Sequence, residues 1–142
     1  MSQQNVELVR RLQPPPDIDL VALFGDGAES ERLLAAVEPF FHDDFVTTGG
    51  IQIGEGVGLA GLKQGWADWL EPWESYRTEI EKMIDLGDDV LVLVRDYGRR
   101  AGMSAEISVL GAAVWTVRDG KIARVRFYPD RAEALQAVGL PE

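Results

Sequence analysis

The stretch from Val114 to Leu140, VWTVRDGKIARVRFYPDRAEALQAVGL, limits the possible folds more than any other part of this chain. Asp119-Gly120 separates two runs rich in β-branched and aromatic residues, the composition of a β-hairpin with a tight turn. The second run stops at Pro129, and a short helix follows at once. Asp130 is placed to cap that helix, Glu133 completes a capping box, and Gly139 falls where a C-terminal stop is expected.

The hairpin's register decides which side chains face the core. A two-residue loop at Asp119-Gly120 would set Trp115 opposite Arg124. A three-residue loop, with Gly120 in a left-handed bulge position, shifts the pairing by one. Ala113, Trp115, Ala123, Val125 and Phe127 then share one face, and Val114, Thr116, Ile122, Arg124, Arg126 and Tyr128 the other. The second register separates apolar from charged groups far better, and a one-residue slip would reverse it. It is the register expected here, with Trp115 and Phe127 facing inward.

Upstream, Ser2 is positioned to cap a helix running to Leu12, with Val6, Val9 and Leu12 on one stripe. Pro14, Pro15 and Pro16 end it. Asp17 or Asp19 caps the turn DLVALF, and Asp26 with Glu29 resembles a capping box for a helix whose core face is Leu33, Leu34 and Val37. A strand is expected from Phe45, interrupted at Gly49-Gly50 and resuming at Ile51–Ile53. Gly54–Gly61 reads as a loop without phosphate-binding spacing. A helix over Leu59–Leu70 follows, with Leu62, Trp66, Trp69 and Trp73 as an aromatic stripe. Strands are expected at Tyr76–Ile84, Val90–Arg99, Ala105–Val117 and Ile122–Tyr128. Helices first and strands afterwards give an α+β fold, with helices on one face of a curved antiparallel or mixed sheet.

At 142 residues, one domain covering 1–142 is expected. No apolar run approaches the ~20 residues of a membrane span, and Met1–Gln13 has no signal-peptide core, so a cytoplasmic location is the default expectation. The net charge of −10 argues against nucleic acid or an anionic membrane surface as a partner. Cysteine is absent, which removes disulfides and thiol catalysis. One histidine and no HxH or HExxH spacing point away from a protein-bound metal, and no cofactor motif is present.

NVELVRR near the start, HDDF after the helices, the Trp-rich helix, and VWTVRDGKI followed by DRAEAL occur in the order found in SnoaL-like proteins of the nuclear transport factor 2-like superfamily, which this chain resembles along nearly its whole length. The resemblance implies a cone, in which a curved sheet wraps around helices and leaves a deep apolar pocket, and it implies homodimers formed through the sheet's outer face. Its members include polyketide cyclases, ketosteroid isomerases, dehydratases and epoxide hydrolases, so it leaves the reaction open. The catalytic groups of those relatives do not carry over. Cyclases of this kind carry His and Asp on the inward face of the last strand, where this chain has Val125 and Phe127; other relatives have His at the position of Ala113. The ketosteroid isomerase base would fall near Thr48 or Gly49. The epoxide hydrolase Arg and Asp stand two apart, whereas Arg95 and Asp96 are adjacent and point to opposite faces of a regular strand.

Two acid/base candidates remain. His42 is the one imidazole, beside Asp43 and Asp44. Asp96 follows the apolar run Val90–Val94 and is placed for a raised pKa at a pocket mouth, or else for pairing with Arg95, Arg99 or Arg100. Tyr76 and Tyr97 can supply hydroxyls for orienting a ligand. Trp66, Trp69, Ala113, Trp115, Val125 and Phe127 are the expected pocket lining. The leading expectation is a binder of a small hydrophobic molecule. The alternatives are a cofactor-less isomerase, dehydratase or cyclase, and a structural dimer whose cavity is filled by its own side chains.

Overall fold

The computed structural model describes residues 2–24, 28–49 and 56–141. Its elements run α1 (Ser2–Arg11), α2 (Leu20–Leu23), α3 (Ala28–Val37), β1 (Phe41–Gly49), β2 (Gly56–Val57), α4 (Gly58–Leu70), β3 (Trp73–Asp85), β4 (Asp89–Arg100), β5 (Ile107–Arg118), β6 (Lys121–Tyr128) and α5 (Arg131–Ala137). The strands form one sheet in the order β2-β1-β6-β5-β4-β3. β1 runs parallel to β6 and every other neighbouring pair is antiparallel, which makes the sheet mixed. The fold class is α+β, as expected from the order of elements.

The inner face of the sheet carries the main core. Val9 of α1 packs with Phe41 and Phe45 of β1, Val90 and Val92 of β4, Trp115 and Val117 of β5, and Ile122 and Val125 of β6. Every second residue of the continuous apolar runs in β4 and β5 turns to this face. A second cluster occupies the opposite face, where Ala134 and Leu135 of α5 cover Leu91, Ala112 and Val114. The helices therefore do not all sit on one side, because the strand positions between the inward ones are themselves apolar and need a cover of their own. Asp130 caps α5 by accepting from the Ala132 N–H at 2.9 Å.

The closing hairpin reaches the expected faces by a different route. Arg118 pairs with Lys121 across a two-residue turn, and both Asp119 (φ 53°) and Gly120 (φ 78°) lie in the left-handed region. This is the geometry whose twist matches flanking strands. The one-residue shift comes later, between Val117↔Ile122 and Thr116↔Arg124, with Ala123 as the extra residue of a β-bulge. Trp115 thus pairs with Val125 and Ala113 with Phe127. Ile122, expected outward, lies before the shift and is fully buried in the inner core.

Two further expectations are corrected. β1 begins at Phe41, so His42 sits within a strand whose pairing with β6 is irregular between Phe41 and Val46. Trp73 does not extend the helical stripe of α4: Pro72 cannot continue a helix, and Trp73 opens β3. There the Trp73 ring lies against Gly98, so close that a Cβ at Gly98 would stand 2.5 Å from it. The expected cap at Asp26 and the strand at Ile51–Ile53 fall outside the described residues.

Candidate functional site

A cavity of about 530 Å³ lies between the helices and the inner sheet face, within the size range of small-molecule sites. Its aromatic wall comes from helical spacing. Leu62, Trp66 and Trp69 recur along one face of α4 and all three line the cavity. Trp66 stacks on Phe24 of the segment after α2 (centroids 5.2 Å apart, planes 9° from parallel) and meets the edge of Phe127 at 5.6 Å. The opposite wall is strand: Val92, Val94, Gly111, Ala113 and Trp115. These rings border the cavity without filling it.

One carboxyl enters this apolar space. Asp96 is half-buried and lines the cavity on β4, paired with Thr78 on β3 and Val109 on β5. Both of its oxygens accept hydrogen bonds, Oδ2 from the Tyr76 hydroxyl at 2.6 Å and Oδ1 from the Thr78 hydroxyl at 2.5 Å. Burial pushes the Asp96 pKa above its ordinary value, and the two donated hydrogen bonds only partly offset that shift. Tyr76 is pushed up as well, first by burial and then by the neighbouring carboxylate. Among the described residues Asp96 makes none of the ion pairs open to a strand-end aspartate. Arg95 pairs instead with Glu81 at 3.0 Å and Arg99 with Glu74 at 2.8 Å, while Arg100 lies over the Trp73 ring. A carboxyl so placed can hold a proton or accept one from a bound molecule.

Tyr76 owes its position to a second contact. Asp19 Oδ1 caps α2 by accepting from Val21 N–H at 3.0 Å and also accepts from the backbone N–H of Tyr76 at 3.1 Å. One side chain thereby ties the short helix to the strand that carries Tyr76 and Thr78.

Two buried polar groups of residues that line the cavity have no hydrogen-bond partner among the described residues. Thr47 Oγ1 and Trp115 Nε1 are buried without a hydrogen bond, in residues that are 2% and 7% exposed and that both line the cavity. They belong to one row across the sheet: Thr47 of β1 is opposite Val125 of β6, and Val125 is opposite Trp115 of β5.

Of the residues singled out in the sequence, Trp66, Trp69, Asp96, Ala113, Trp115 and Phe127 line the cavity. Tyr76 is buried behind the wall and reaches the site through Asp96. Val125 is fully buried in the core beneath it and does not line it. Tyr97 faces the other side of the sheet, its ring under the Arg77 guanidinium at 4.0 Å, because it is adjacent to Asp96 in a regular strand. His42 is likewise elsewhere: its Nε2–H donates to the Arg118 carbonyl at 2.6 Å, beside a small depression formed with Glu38, Asp43 and Leu59. Thr47 and Thr78 were not singled out in the sequence. Their signal was alternation, since Phe45 and Thr47 on β1, and Tyr76, Thr78 and Ile80 on β3, each share a face. Among the described residues no group of His, Cys, Asp and Glu is arranged to hold a metal ion.

Comparison with known proteins gives a consistent family. The sequence description of the SnoaL-like domain matches residues 21–125. A candidate SnoaL-like polyketide cyclase from Jannaschia sp. CCS1 superposes with a TM-score of 0.69 at 20% identity, over 99% of this chain and 94% of that one. TerC, co-crystallised with polyporic acid, gives 0.66 at 19% identity, over 96% of this chain and 98% of its own. An LEH-like epoxide hydrolase of M. tuberculosis gives 0.55 at 14% identity, over 89% of this chain and 82% of that one. At these identities the likeness is one of fold. No protein of curated function matches the sequence.

Proposed function

The chain belongs to the SnoaL-like domain family, and from that premise we propose that it binds a small, largely hydrophobic molecule in the cavity between its helices and the inner face of its sheet. The observation that carries this reading is the cavity itself, about 530 Å³ walled by Trp66, Trp69, Phe127 and the small residues Gly111 and Ala113. Small residues on the sheet wall leave room that larger ones would occupy. TerC, of the same fold, was co-crystallised with polyporic acid, which supplies a first probe. Polyporic acid is expected to raise the melting temperature in a concentration-dependent way and to quench tryptophan fluorescence. An unmoved melting temperature and unchanged fluorescence across that compound and a panel of apolar ring compounds would count against the reading.

A second reading is favoured by the one acidic group in that space. Asp96, with a raised pKa and the hydroxyls of Tyr76 and Thr78 on its oxygens, is suited to pass a proton to or from a bound molecule in a cofactor-less isomerisation, dehydration or cyclisation. A bell-shaped pH–rate profile lost in Asp96→Asn would select it. His42 has no part in this reading, because it does not line the cavity.

Homodimerisation through the outer sheet face and a cytoplasmic location belong to the same proposal. α5 already covers Leu91, Ala112 and Val114, so a partner would use the remainder of that face, around Tyr97 and the exposed Leu110. Light scattering on the purified protein tests the dimer. Among the described residues no helix is long and apolar enough to cross a membrane.

A further inference from the structure

Asp96 is the one carboxylate among the described residues that line the cavity, and it is only half-buried. A carboxylate has roughly four acceptor positions, and the hydroxyls of Tyr76 and Thr78 take two of them. Tyr76 is 1% exposed and does not line the cavity, so its hydroxyl reaches Asp96 from behind the wall. With both hydroxyls donating, what remains on Asp96 is acceptor capacity, and the group that matches it is a donor.

Charge narrows that donor further. Among the described residues no cation meets Asp96: Arg95 is held by Glu81, Arg99 by Glu74, and Arg100 lies over the Trp73 ring. Arg11, the other charged residue of the lining, is exposed at the C-terminal end of α1. The residues outside the described ones contain neither Lys nor Arg. Folding has thus drawn a carboxylate part-way out of water without pairing it, and a buried charge left uncompensated is costly. That cost belongs to the protein itself, so a ligand cation placed beside Asp96 relieves it.

The surroundings suit an organic cation. Trp69 lines the cavity and stands perpendicular to the Tyr76 ring, centroids 6.3 Å apart, while the Tyr76 hydroxyl is 2.6 Å from Asp96. An indole face is the best aromatic partner for an ammonium group. Leu62, Trp66, Val92, Val94 and Phe127 continue the lining with apolar surface for the rest of such a molecule. The net charge of −10 favours the approach of cations over anions.

We propose that Asp96, with the Trp69 ring near it, is the recognition point for a protonated amine carried by an otherwise apolar ligand. The proposal rests on the reading of the cavity as a small-molecule site and adds the charge and position of the polar group that is recognised. The ligand class is an aryl or alicyclic alkylamine. Its ammonium donates to the remaining acceptor positions of Asp96, and its body lies against Trp66 and Phe127.

The probes are 2-naphthylmethylamine and 2-naphthylmethanol, which share one frame and differ by an ammonium in place of a hydroxyl. Equilibrium dialysis at neutral pH is expected to show the amine bound about tenfold more tightly than the alcohol. Asp96→Asn keeps the shape, removes the charge and should abolish the preference, although it changes the protein's overall charge by one unit only. A test without any variant is the Asp96 carboxyl resonance of the wild type, which should move on addition of the amine. Equal binding of the two compounds by the wild type, a preference that survives in Asp96→Asn, or an unmoved resonance would overturn the amine site while leaving the cavity reading intact. Binding of neither compound would overturn the cavity reading, and the amine site with it.

Discussion

The Tyr76 hydroxyl donates to Asp96 Oδ2 at 2.6 Å, joining β3 to β4 inside the apolar wall of the cavity. Asp96 nevertheless has a pKa above its ordinary 3.8, because burial outweighs the donors. The folded state therefore binds this proton more tightly than the unfolded state does. The associated stability is fully present below the unfolded pKa and is lost as pH rises through the elevated folded value. Asp96→Asn should flatten that part of the profile. The check is urea unfolding of both proteins across a pH series, where the wild type should lose stability relative to Asp96→Asn as pH rises from about 4. A constant difference between the two curves would mean that Asp96 is not the group that titrates.

Tyr76→Phe removes one of the two donors without emptying the space that the ring fills. Loss of a hydrogen bond to a buried carboxylate should cost about 2 kcal/mol at neutral pH. It should also push the Asp96 pKa higher still, since that bond favours the charged form. Chemical denaturation gives the first number, and the carboxyl resonance of Asp96 followed by NMR titration gives the direction of the second.

Asp19 serves α2 and β3 with one oxygen, so Asp19→Ala loses a helix cap and leaves the Tyr76 N–H without its partner. The cap alone is worth about 1 kcal/mol, and the buried N–H adds a comparable amount. Asp19→Asn keeps an acceptor and should recover most of the loss in thermal unfolding.

Gly98 and Gly120 should both resist replacement by alanine, for different reasons. At Gly98 the obstacle is contact: a Cβ would lie 2.5 Å from the Trp73 ring and 2.9 Å from that of Tyr76, so Gly98→Ala should cost about 1–3 kcal/mol. At Gly120 nothing lies near the added carbon, but φ is +78°, and Gly120→Ala should cost about 1 kcal/mol from backbone conformation alone. Trp73→Phe should soften the first penalty and leave the second untouched, a difference that a set of denaturation curves would resolve.

Phe127 pairs with Ala113 and meets the edge of Trp66 on the cavity side. Phe127→Asp would put an unpaired carboxylate among those groups and should destabilise by about 3 kcal/mol. Arg124, opposite Thr116 and exposed, should tolerate the same change with little effect on the melting temperature. Similar melting temperatures for the two variants would show that Phe127 does not face the core.

The run of β-branched and aromatic residues from Tyr76 to Tyr128 was enough to place β3 to β6, because alternation is a local property that side chains impose two residues at a time. The cap at Asp130 was legible for the same reason, and that of α2 was narrowed to Asp17 or Asp19, as each acts within one turn of its own helix. Trp66, Trp69 and Asp96 could be named as candidates from spacing and neighbours. His42 could not be assigned this way, since its partner is the Arg118 carbonyl of β5, remote in sequence. For Tyr97 the signal was present: the alternation that parts Arg95 from Asp96 also parts Tyr97 from Asp96.

The sequence by itself determined the order of elements and the α+β class, since those follow from patterns within a few residues of one another. Tertiary structure alone decided that Ala123 is a bulge, that Ile122 turns inward, and that α5 covers the far side of the sheet. It also decided which polar groups share the cavity. Tyr76 and Thr78 meet Asp96 only through the β3–β4 register, and Thr47 and Trp115 share a row only because β1 lies parallel to β6. Pairing between distant strands is set by the packing of the whole sheet, and no local pattern records it.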